Sequence, residues 1–277
     1  MTIIPVQSLD EKYLLPYKTL RRPVEHERNG IFVAEGEKVV RQLLVSSLEV
    51  ISVLLTPEWL EEYRSILADH AGDFRVFVAP KQIVESIVGY NLHQGIMAVA
   101  KIPGFLKLSQ AVAGSRRPSL MVAVDGLTNA ENLGVLVRNC AAFGVDALLV
   151  GETSSSPYLR RAVRNSMGTV FTLPVVHVDN LVGAIGELRS VYKMHVVAAH
   201  PHTEKDALHD ASLNGDCCIV FGSEGDGIRE AVRGACNQSV AIPMRQGVDS
   251  LNVASASAVF LYEVQRQRNL LLRDGGR

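Results

Sequence analysis

The feature that most constrains the fold is a regular alternation of short apolar runs with helical segments after residue 119. Each run is almost entirely apolar, which is typical of strands buried on both faces of a sheet. The predicted strands are Leu120–Val124, Ala147–Val150, Thr169–Val176, His195–Ala199, Cys217–Gly222 and Ser239–Ile242. Strands joined by helices run parallel, since the helix returns the chain to the same edge. We therefore predict an α/β fold with a mostly parallel sheet, whose ligands bind beyond the carboxyl ends of the strands.

A smaller α/β unit is predicted ahead of this sheet. Between residues 31 and 100, β-rich runs alternate with segments of helical spacing, over a length that suits one domain. The stretch from Pro103 to Pro118 shows little periodicity and is rich in turn-forming residues, which indicates a linker. We predict a first domain over 1–103, a linker over 104–118 and a second domain over 119–277. A hydrophobic fraction of 47% is enough for two cores.

The composition excludes several classes of protein. A formal net charge of −1 argues against indiscriminate coating of nucleic acid, although it allows a local basic patch. The apolar runs are too short to span a membrane, and Asp10 and Glu11 interrupt any signal-peptide core. The four cysteines lack the spacing of zinc ligands, and so do the histidines near residue 200. We therefore expect a cytoplasmic protein with reduced thiols, no metal and no membrane partner.

Two loops near the carboxyl end have the composition of a ligand site. In Gly222-Ser223-Glu224-Gly225-Asp226-Gly227, three glycines leave main-chain groups open to a bound molecule. In the second loop, Pro243 removes a donor at a strand end and Gly247 eases the bend. Ser250 then offers an N-cap to a long final helix. Both loops follow predicted strands, so they are expected at the ligand-binding edge of the sheet.

A third loop follows the first strand of the parallel sheet. It leads into a helix whose apolar stripe includes Leu133 and Leu136. Asn132 lies near the start of this helix. Arg138 lies off the stripe, where an arginine is either a solvated surface residue or a residue that projects into the cleft.

Two basic segments are candidates for contact with the phosphates of a nucleic acid. Arg21 and Arg22 stand among acidic neighbours, and a solvated surface is the stronger interpretation for them taken alone. Arg160, Arg161 and Arg164 lie in a long stretch free of acidic residues. Because they follow a strand end on the ligand side of the sheet, contact with phosphates and simple solvation are about equally favoured for these three.

Taken together, the three loops resemble the signature motifs of the SpoU (TrmH-type) RNA 2′-O-ribose methyltransferases, a branch of the SPOUT superfamily. The matching patterns are Asn132-x-Gly134-x-x-x-Arg138, Gly222-Ser223-Glu224-Gly225-x-Gly227, Ile242-Pro243-Met244 and Ser250-Leu251-Asn252-Val253. They occur in the same order and spacing as in the family. The stretch Phe32–Val40 is similar, more loosely, to the family's substrate-binding domain.

The resemblance implies a carboxyl-terminal domain threaded into a trefoil knot, with S-adenosyl-L-methionine held mainly by main-chain groups. It also implies RNA as substrate and a homodimer formed through the knotted domain. The cofactor residues it implies are Gly222, Ile242, Met244 and Leu251. The catalytic residues it implies are Asn132, Arg138, Glu224, Ser250 and Asn252.

The resemblance implies methylation of a ribose 2′-hydroxyl, in ribosomal RNA first and in transfer RNA as the alternative. A non-catalytic RNA-binding or assembly protein on the same fold is a second alternative. A nicotinamide-binding enzyme is disfavoured because the loop at Gly222 lacks the G-x-G-x-x-G order. Within the family proposal Arg138 activates the hydroxyl. A guanidinium is a poor base at neutral pH, so binding of the phosphate and stabilisation of the alkoxide are at least as well supported.

Overall fold

The computed structural model describes residues 2–8, 11–20, 22–70, 72–88, 95–201, 206–247 and 249–274. The chain forms two compact units. Unit 1 comprises Met1–Gly104 and Pro157–Thr172, and unit 2 comprises Phe105–Ser156 and Leu173–Arg277. A short segment from the second half of the sequence therefore packs with the amino-terminal unit.

The strands are β1 (Thr2–Pro5), β2 (Ile31–Glu35), β3 (Val50–Leu55), β4 (Arg75–Val78), β5 (Ile96–Lys101), β6 (Leu120–Val124), β7 (Ala147–Gly151), β8 (Val175–Val178), β9 (His195–Ala199), β10 (Cys217–Phe221) and β11 (Gln238–Val240). The α-helices are α1 (Leu15–Lys18), α2 (Pro23–Arg28), α3 (Glu37–Leu44), α4 (Pro57–Asp69), α5 (Lys81–Val88), α6 (Leu108–Gly114), α7 (Ala130–Ala142), α8 (Arg160–Asn165), α9 (Leu181–Ser190), α10 (Glu230–Ala235) and α11 (Val253–Asp274). Short 3₁₀ turns occupy Lys12–Leu14 and Thr169–Phe171.

Unit 1 is built on a five-stranded mixed sheet in the order β1-β4-β3-β5-β2. β4 runs parallel to both β1 and β3, whereas β5 is antiparallel to β3 and β2. The helix α8 from the inserted segment packs against β2. Phe32 of β2 lies 5.5 Å, between ring centroids, from both Tyr158 and Phe171 of that segment. These aromatic contacts explain why the segment belongs to unit 1.

Unit 2 is built on a six-stranded sheet in the order β11-β9-β10-β6-β7-β8, and every pair of neighbours is parallel. The predicted parallel sheet is confirmed. All residues of the central strands β6 and β10 are buried, as expected when helices cover both faces. Helix α11 packs on β10 through an edge-on contact of Phe260 with Phe221, 5.7 Å between ring centroids. The long final helix is thereby fixed over the carboxyl end of a central strand.

The strand predicted over Thr169–Val176 is wrong in its first part. Residues Thr169–Phe171 form a 3₁₀ turn in unit 1, and the strand occupies Val175–Val178 in unit 2. Gly168 adopts a left-handed φ of 82°, and the Thr169 hydroxyl donates to the Ser166 carbonyl at 2.8 Å. Hydrogen bonds of this local kind stabilise a turn in a sequence whose residue types otherwise favour a strand.

The stretch predicted as a linker, 104–118, contains helix α6. Ala111 and Val112 of this helix are buried in the core of unit 2. Its first turn is closed by a hydrogen bond from the Lys107 backbone N–H to the Gln110 side chain, at 2.9 Å. Leu108, which also packs against this core, completes only one turn of apolar spacing, and one turn is too short a periodicity to be recognised in the sequence. Among the described residues, no helix is both long and apolar enough to cross a bilayer.

Candidate active site

A cavity opens in unit 2 at the carboxyl ends of β9, β10 and β11, beside the start of α11. Its empty space, including the open space at its mouth, amounts to about 890 Å³. Phe221, Val240 and Phe260 contribute to its apolar wall. The lining includes all four residues predicted to bind a cofactor: Gly222, Ile242, Met244 and Leu251. Their roles stay predictions, but the structure brings them to one place.

The glycine-rich loop that follows β10 folds tightly back on itself. The Ser223 backbone N–H donates to the Gly227 carbonyl at 3.0 Å, and Gly227 has a left-handed φ of 70°. A Cβ added to Gly222 would stand 2.2 Å from the Gly227 carbonyl carbon, closer than real Cβ contacts occur. Gly222 is therefore required by the closure of its own loop, independently of any ligand. The sequence alone indicated only an approach to the bound molecule.

Asn252 joins the three motif loops. Its side-chain amide donates to the Asn132 Oδ1 at 3.2 Å and to the Glu224 carboxylate. Its own Oδ1 accepts the Ala254 backbone N–H at 2.8 Å. Both ends of the amide are thus engaged, which fixes its orientation. Three residues that were expected to act together are brought together by one bridging side chain.

The expectation that Ser250 caps the final helix is wrong. Helix α11 begins at Val253, and the Asn252 side chain accepts the backbone N–H of its second residue, which is the N-cap geometry. The carbonyl of Asn252 also accepts the Ala256 N–H at 2.9 Å. Ser250 instead lies in the exposed loop before the helix, where it lines the cavity.

Arg138 occupies the exposed face of α7. Among the described residues it forms no hydrogen bond or ion pair, and the cavity lining does not include it. Its neighbour Asn139 faces α11 and donates to the Ala254 carbonyl at 2.8 Å and to the Ser257 hydroxyl at 2.9 Å. The guanidinium of Arg138 is therefore available to an anionic ligand, as the surface interpretation and the phosphate interpretation both require.

A charged cluster lies behind the glycine-rich loop, and sequence analysis missed it. Asp125, which follows β6, is fully buried and accepts the backbone N–H and the Nε of Arg229, both at 2.8 Å. Arg229 Nη2 donates to Glu152 at 2.7 Å, and the Leu181 N–H donates to the other oxygen of Glu152 at 2.9 Å. Burial works against ionisation of Glu152, but these donors outweigh it and lower its pKa. The signal in the sequence was an aspartate directly after an apolar strand.

The arginines predicted to contact RNA differ in their surroundings. Within unit 1, Arg160 pairs with the buried carboxylate of Glu35, and its side chain is only 21% exposed. The Arg164 guanidinium lies 3.6 Å from the same carboxylate but is 59% exposed. Arg161 and Arg22 are both exposed, and Arg22 forms an ion pair with Glu25 at 3.0 Å. Arg21 lies outside the described residues. Arg160 therefore has a structural partner, and the more exposed arginines keep open the prediction of RNA contact.

The four cysteines are free and buried. Burial raises the pKa of Cys217 to about 11 and that of Cys236 to about 12, so neither thiol is reactive at neutral pH. Within the described part of the chain, no cluster of three or more potential metal ligands occurs.

Comparison with known proteins identifies the family. A model of the SpoU rRNA methylase family matches residues 119–262, which is more than half of the chain. The chain belongs to the SpoU rRNA methylase family. All three motif loops that meet around Asn252 fall within the matched region. The family and the fold class expected from the motifs are both confirmed.

Relatives of this SpoU methylase are similar over most of its length. An uncharacterized tRNA/rRNA methyltransferase of Mycobacterium tuberculosis is 30% identical over 248 residues, which cover 89% of this chain and 84% of the relative. A 23S rRNA (guanosine-2′-O-)-methyltransferase of Ralstonia nicotianae is 33% identical over 207 residues, which cover 74% of this chain and 82% of the relative. The relationship therefore includes much of unit 1 as well as the matched domain.

Solved structures share the fold of this SpoU methylase. The crystal structure of the SpoU methyltransferase AviRb from Streptomyces viridochromogenes has a TM-score of 0.80 and 24% identity, covering 94% of this chain and 98% of that one. The structure of an RNA 2′-O ribose methyltransferase has a TM-score of 0.77 at 24% identity. The coverage shows that both units follow the architecture of these proteins.

Proposed function

We propose that this protein transfers a methyl group from S-adenosyl-L-methionine to the 2′-hydroxyl of a ribose in ribosomal RNA. The observation that carries the proposal is the hydrogen-bonded bridge of Asn132, Asn252 and Glu224 at the mouth of the cavity. The bridge joins the three motif loops of the SpoU family, two of which line the cavity. Membership of the family and a similar 23S rRNA methyltransferase support ribosomal RNA as the substrate.

The cavity suits a molecule with an apolar and a cationic part. Its walls are largely apolar, and Glu224 and Asp226 add carboxylates at its rim. Ile242 and Leu251 would hold the apolar part of the cofactor, and main-chain groups near Gly222 would accept and donate hydrogen bonds. When bound, S-adenosyl-L-methionine supplies an electrophilic methyl group on its sulfonium. The trefoil knot stays a prediction of the resemblance.

The protein's own residues align the acceptor and stabilise charge. Asn252 and Glu224 hold the loops in place, so the cofactor and ribose meet in a fixed orientation, and orientation supplies much of the rate enhancement in such reactions. Arg138 has only donors, and we assign it to the phosphate next to the target ribose and to the forming alkoxide, while the hydroxyl proton passes to solvent and the cofactor leaves as its thioether. Ser250, on the exposed loop, and Asn132 would contact the ribose.

The proposal extends to a homodimer and a cytoplasmic location. The dimer is supported by exposed apolar side chains on α11: Val259 is 39% exposed and Tyr262 is 59% exposed. Apolar residues on an exposed helix face are typical of subunit interfaces. Ala254 and Ser257 lie on the side of this helix that contacts α7 of the same chain. Four reduced, buried thiols are typical of proteins inside the cell.

The test is incubation of the protein with methyl-labelled S-adenosyl-L-methionine and separate pools of ribosomal and transfer RNA, followed by mapping of methylated riboses. We expect label in ribosomal RNA, at one or a few riboses, and none with the Arg138→Ala variant. Label confined to transfer RNA would move the substrate to that class, which the tRNA/rRNA name of a relative also suggests. RNA binding without label in either pool would favour a non-catalytic assembly protein.

A further inference from the structure

Asp125 is placed to hold both ends of the glycine-rich loop, residues 222–227. Its backbone N–H donates to the Phe221 carbonyl at 2.9 Å, just before the loop begins. Its carboxylate accepts the Arg229 backbone N–H at 2.8 Å, just after the loop ends. Asp125 does not itself line the cavity. It is nevertheless hydrogen-bonded to the chain on both sides of the loop that does.

The side chain of Asp125 is fully buried, and both of its carboxylate oxygens accept hydrogen bonds. Its second oxygen accepts Arg229 Nε at 2.8 Å and faces the Thr153 hydroxyl at 3.4 Å. A buried charge is tolerated only with a partner and hydrogen bonds, and removing one member of such a pair leaves the other uncompensated. The position of Arg229, and with it the closing end of the loop, therefore depends on this carboxylate.

The loop has little room to adapt if its closing end moves. Gly222 and Gly227 approach so closely that a methyl group would not fit between them. Since the two ends are in contact, a shift of Arg229 is passed directly to the backbone that faces the cavity. Arg229 is tied in addition to Glu152, which receives the first N–H of α9. These contacts fix the position of the loop relative to two neighbouring strands, β6 and β7.

We propose that Asp125 is a positioning residue that sets the affinity for the cofactor by clamping the glycine-rich loop through Arg229. The inference rests on the proposed function, because it assigns the cofactor to the cavity. Asp125 touches neither the cofactor nor the RNA in this assignment. Its effect is confined to the geometry of the loop.

The structure offers a matched control at the opposite end of the same strands. Asp146, which precedes β7, is also nearly buried and also accepts a backbone N–H, from Leu120 at 2.9 Å. It also pairs with an arginine, since Arg116 Nε donates to it at 3.1 Å. Asp146 therefore shares the chemistry of Asp125 but lies far along the strands from the glycine-rich loop.

The experiment compares Asp125→Asn with Asp146→Asn, because an amide places a donor against the arginine in both. We expect both variants to lose thermal stability, but only Asp125→Asn to raise the calorimetric Kd for S-adenosyl-L-methionine, by about tenfold or more. The KM for the cofactor should rise with it, while the KM for RNA stays unchanged. Equal cofactor affinity in the two variants would overturn the proposal.

A second measurement keeps the clamp testable apart from the reaction. Amide hydrogen exchange in the absence of cofactor should speed up at Ser223 and Arg229 in Asp125→Asn and not in Asp146→Asn. Arg229→Lys keeps a positive charge beside the buried Asp125 and, at a site 42% exposed, should fold and show the same change more weakly. Unchanged exchange in both loop variants would refute the clamp. If exchange is faster in the two loop variants but the wild-type protein binds no cofactor, the clamp stands and only the proposed function is refuted.

Discussion

Asn252 offers a substitution that separates two roles of one side chain. In Asn252→Asp the remaining oxygen can still cap α11, because Asp and Asn are equally good N-caps. The amide donor is lost, however, and with it the hydrogen bonds to Asn132 and Glu224. The new carboxylate would in addition face the carboxylate of Glu224. The variant therefore removes the bridge between the motif loops and keeps the helix cap.

The expected cost follows from these contacts. Each lost hydrogen bond contributes about 0.5–1.5 kcal/mol, and two like charges about 4 Å apart in water repel by about 1 kcal/mol. Both Asn252 and Glu224 are exposed, which favours the lower end of the range. We expect the free energy of unfolding to fall by about 2 kcal/mol.

The assay is chemical denaturation of the variant at neutral pH, with Asn129→Asp as the control. Asn129 caps α7 in the same way, accepting the Glu131 and Asn132 N–H groups at 2.9 and 3.2 Å. It forms no link between loops among the described residues. If Asn252→Asp is as stable as Asn129→Asp at neutral pH, the bridge contributes nothing and the reasoning is wrong.

Three further predictions concern the site and the core. Arg138→Ala should lower methyl transfer by about 100-fold or more while calorimetry shows an unchanged Kd for the cofactor, and near-normal turnover would exclude a role in the reaction. Gly222→Ala should abolish cofactor binding, because its Cβ would stand 2.2 Å from the Gly227 backbone, and retained binding would contradict the loop geometry. Burial lowers the pKa of His26, His177 and His195 below the ordinary 6.5. The folded state then binds fewer protons than the unfolded state, so unfolding titrations should show stability falling as the pH drops below about 6.5, and a flat profile would refute this.

The parallel sheet was predictable because its strands are apolar on both faces, and the motif loops were predictable because they follow strand ends. The start of the last helix was not. Ser250 and Asn252 are both good N-caps, and composition cannot choose between them when the helix begins two residues later than expected. The bridge from Asn252 to Asn132 joins residues 120 positions apart, and no local pattern reports such a contact.

The charged cluster behind the loop shows the same limit. Asp125 and Arg229 are separated by 104 positions, and each taken alone has the appearance of an ordinary strand-end or surface residue. Only the pairing of β6 with β10 brings them together. The placement of Phe171 in unit 1 was missed for a related reason, since a β-branched and aromatic run favours a strand until its buried partner Phe32 is known.

The insertion of residues 157–172 into unit 1 has a consequence for how the protein can be divided. The chain passes from one unit to the other three times, so a cut at the predicted linker does not separate two self-sufficient modules. A fragment that begins at residue 119 would carry Tyr158 and Phe171 without the ring of Phe32 that covers them. The two halves of the sequence are therefore not independent folding units. Deletion, fusion or exchange of the amino-terminal part would leave an exposed apolar surface on the carboxyl-terminal part.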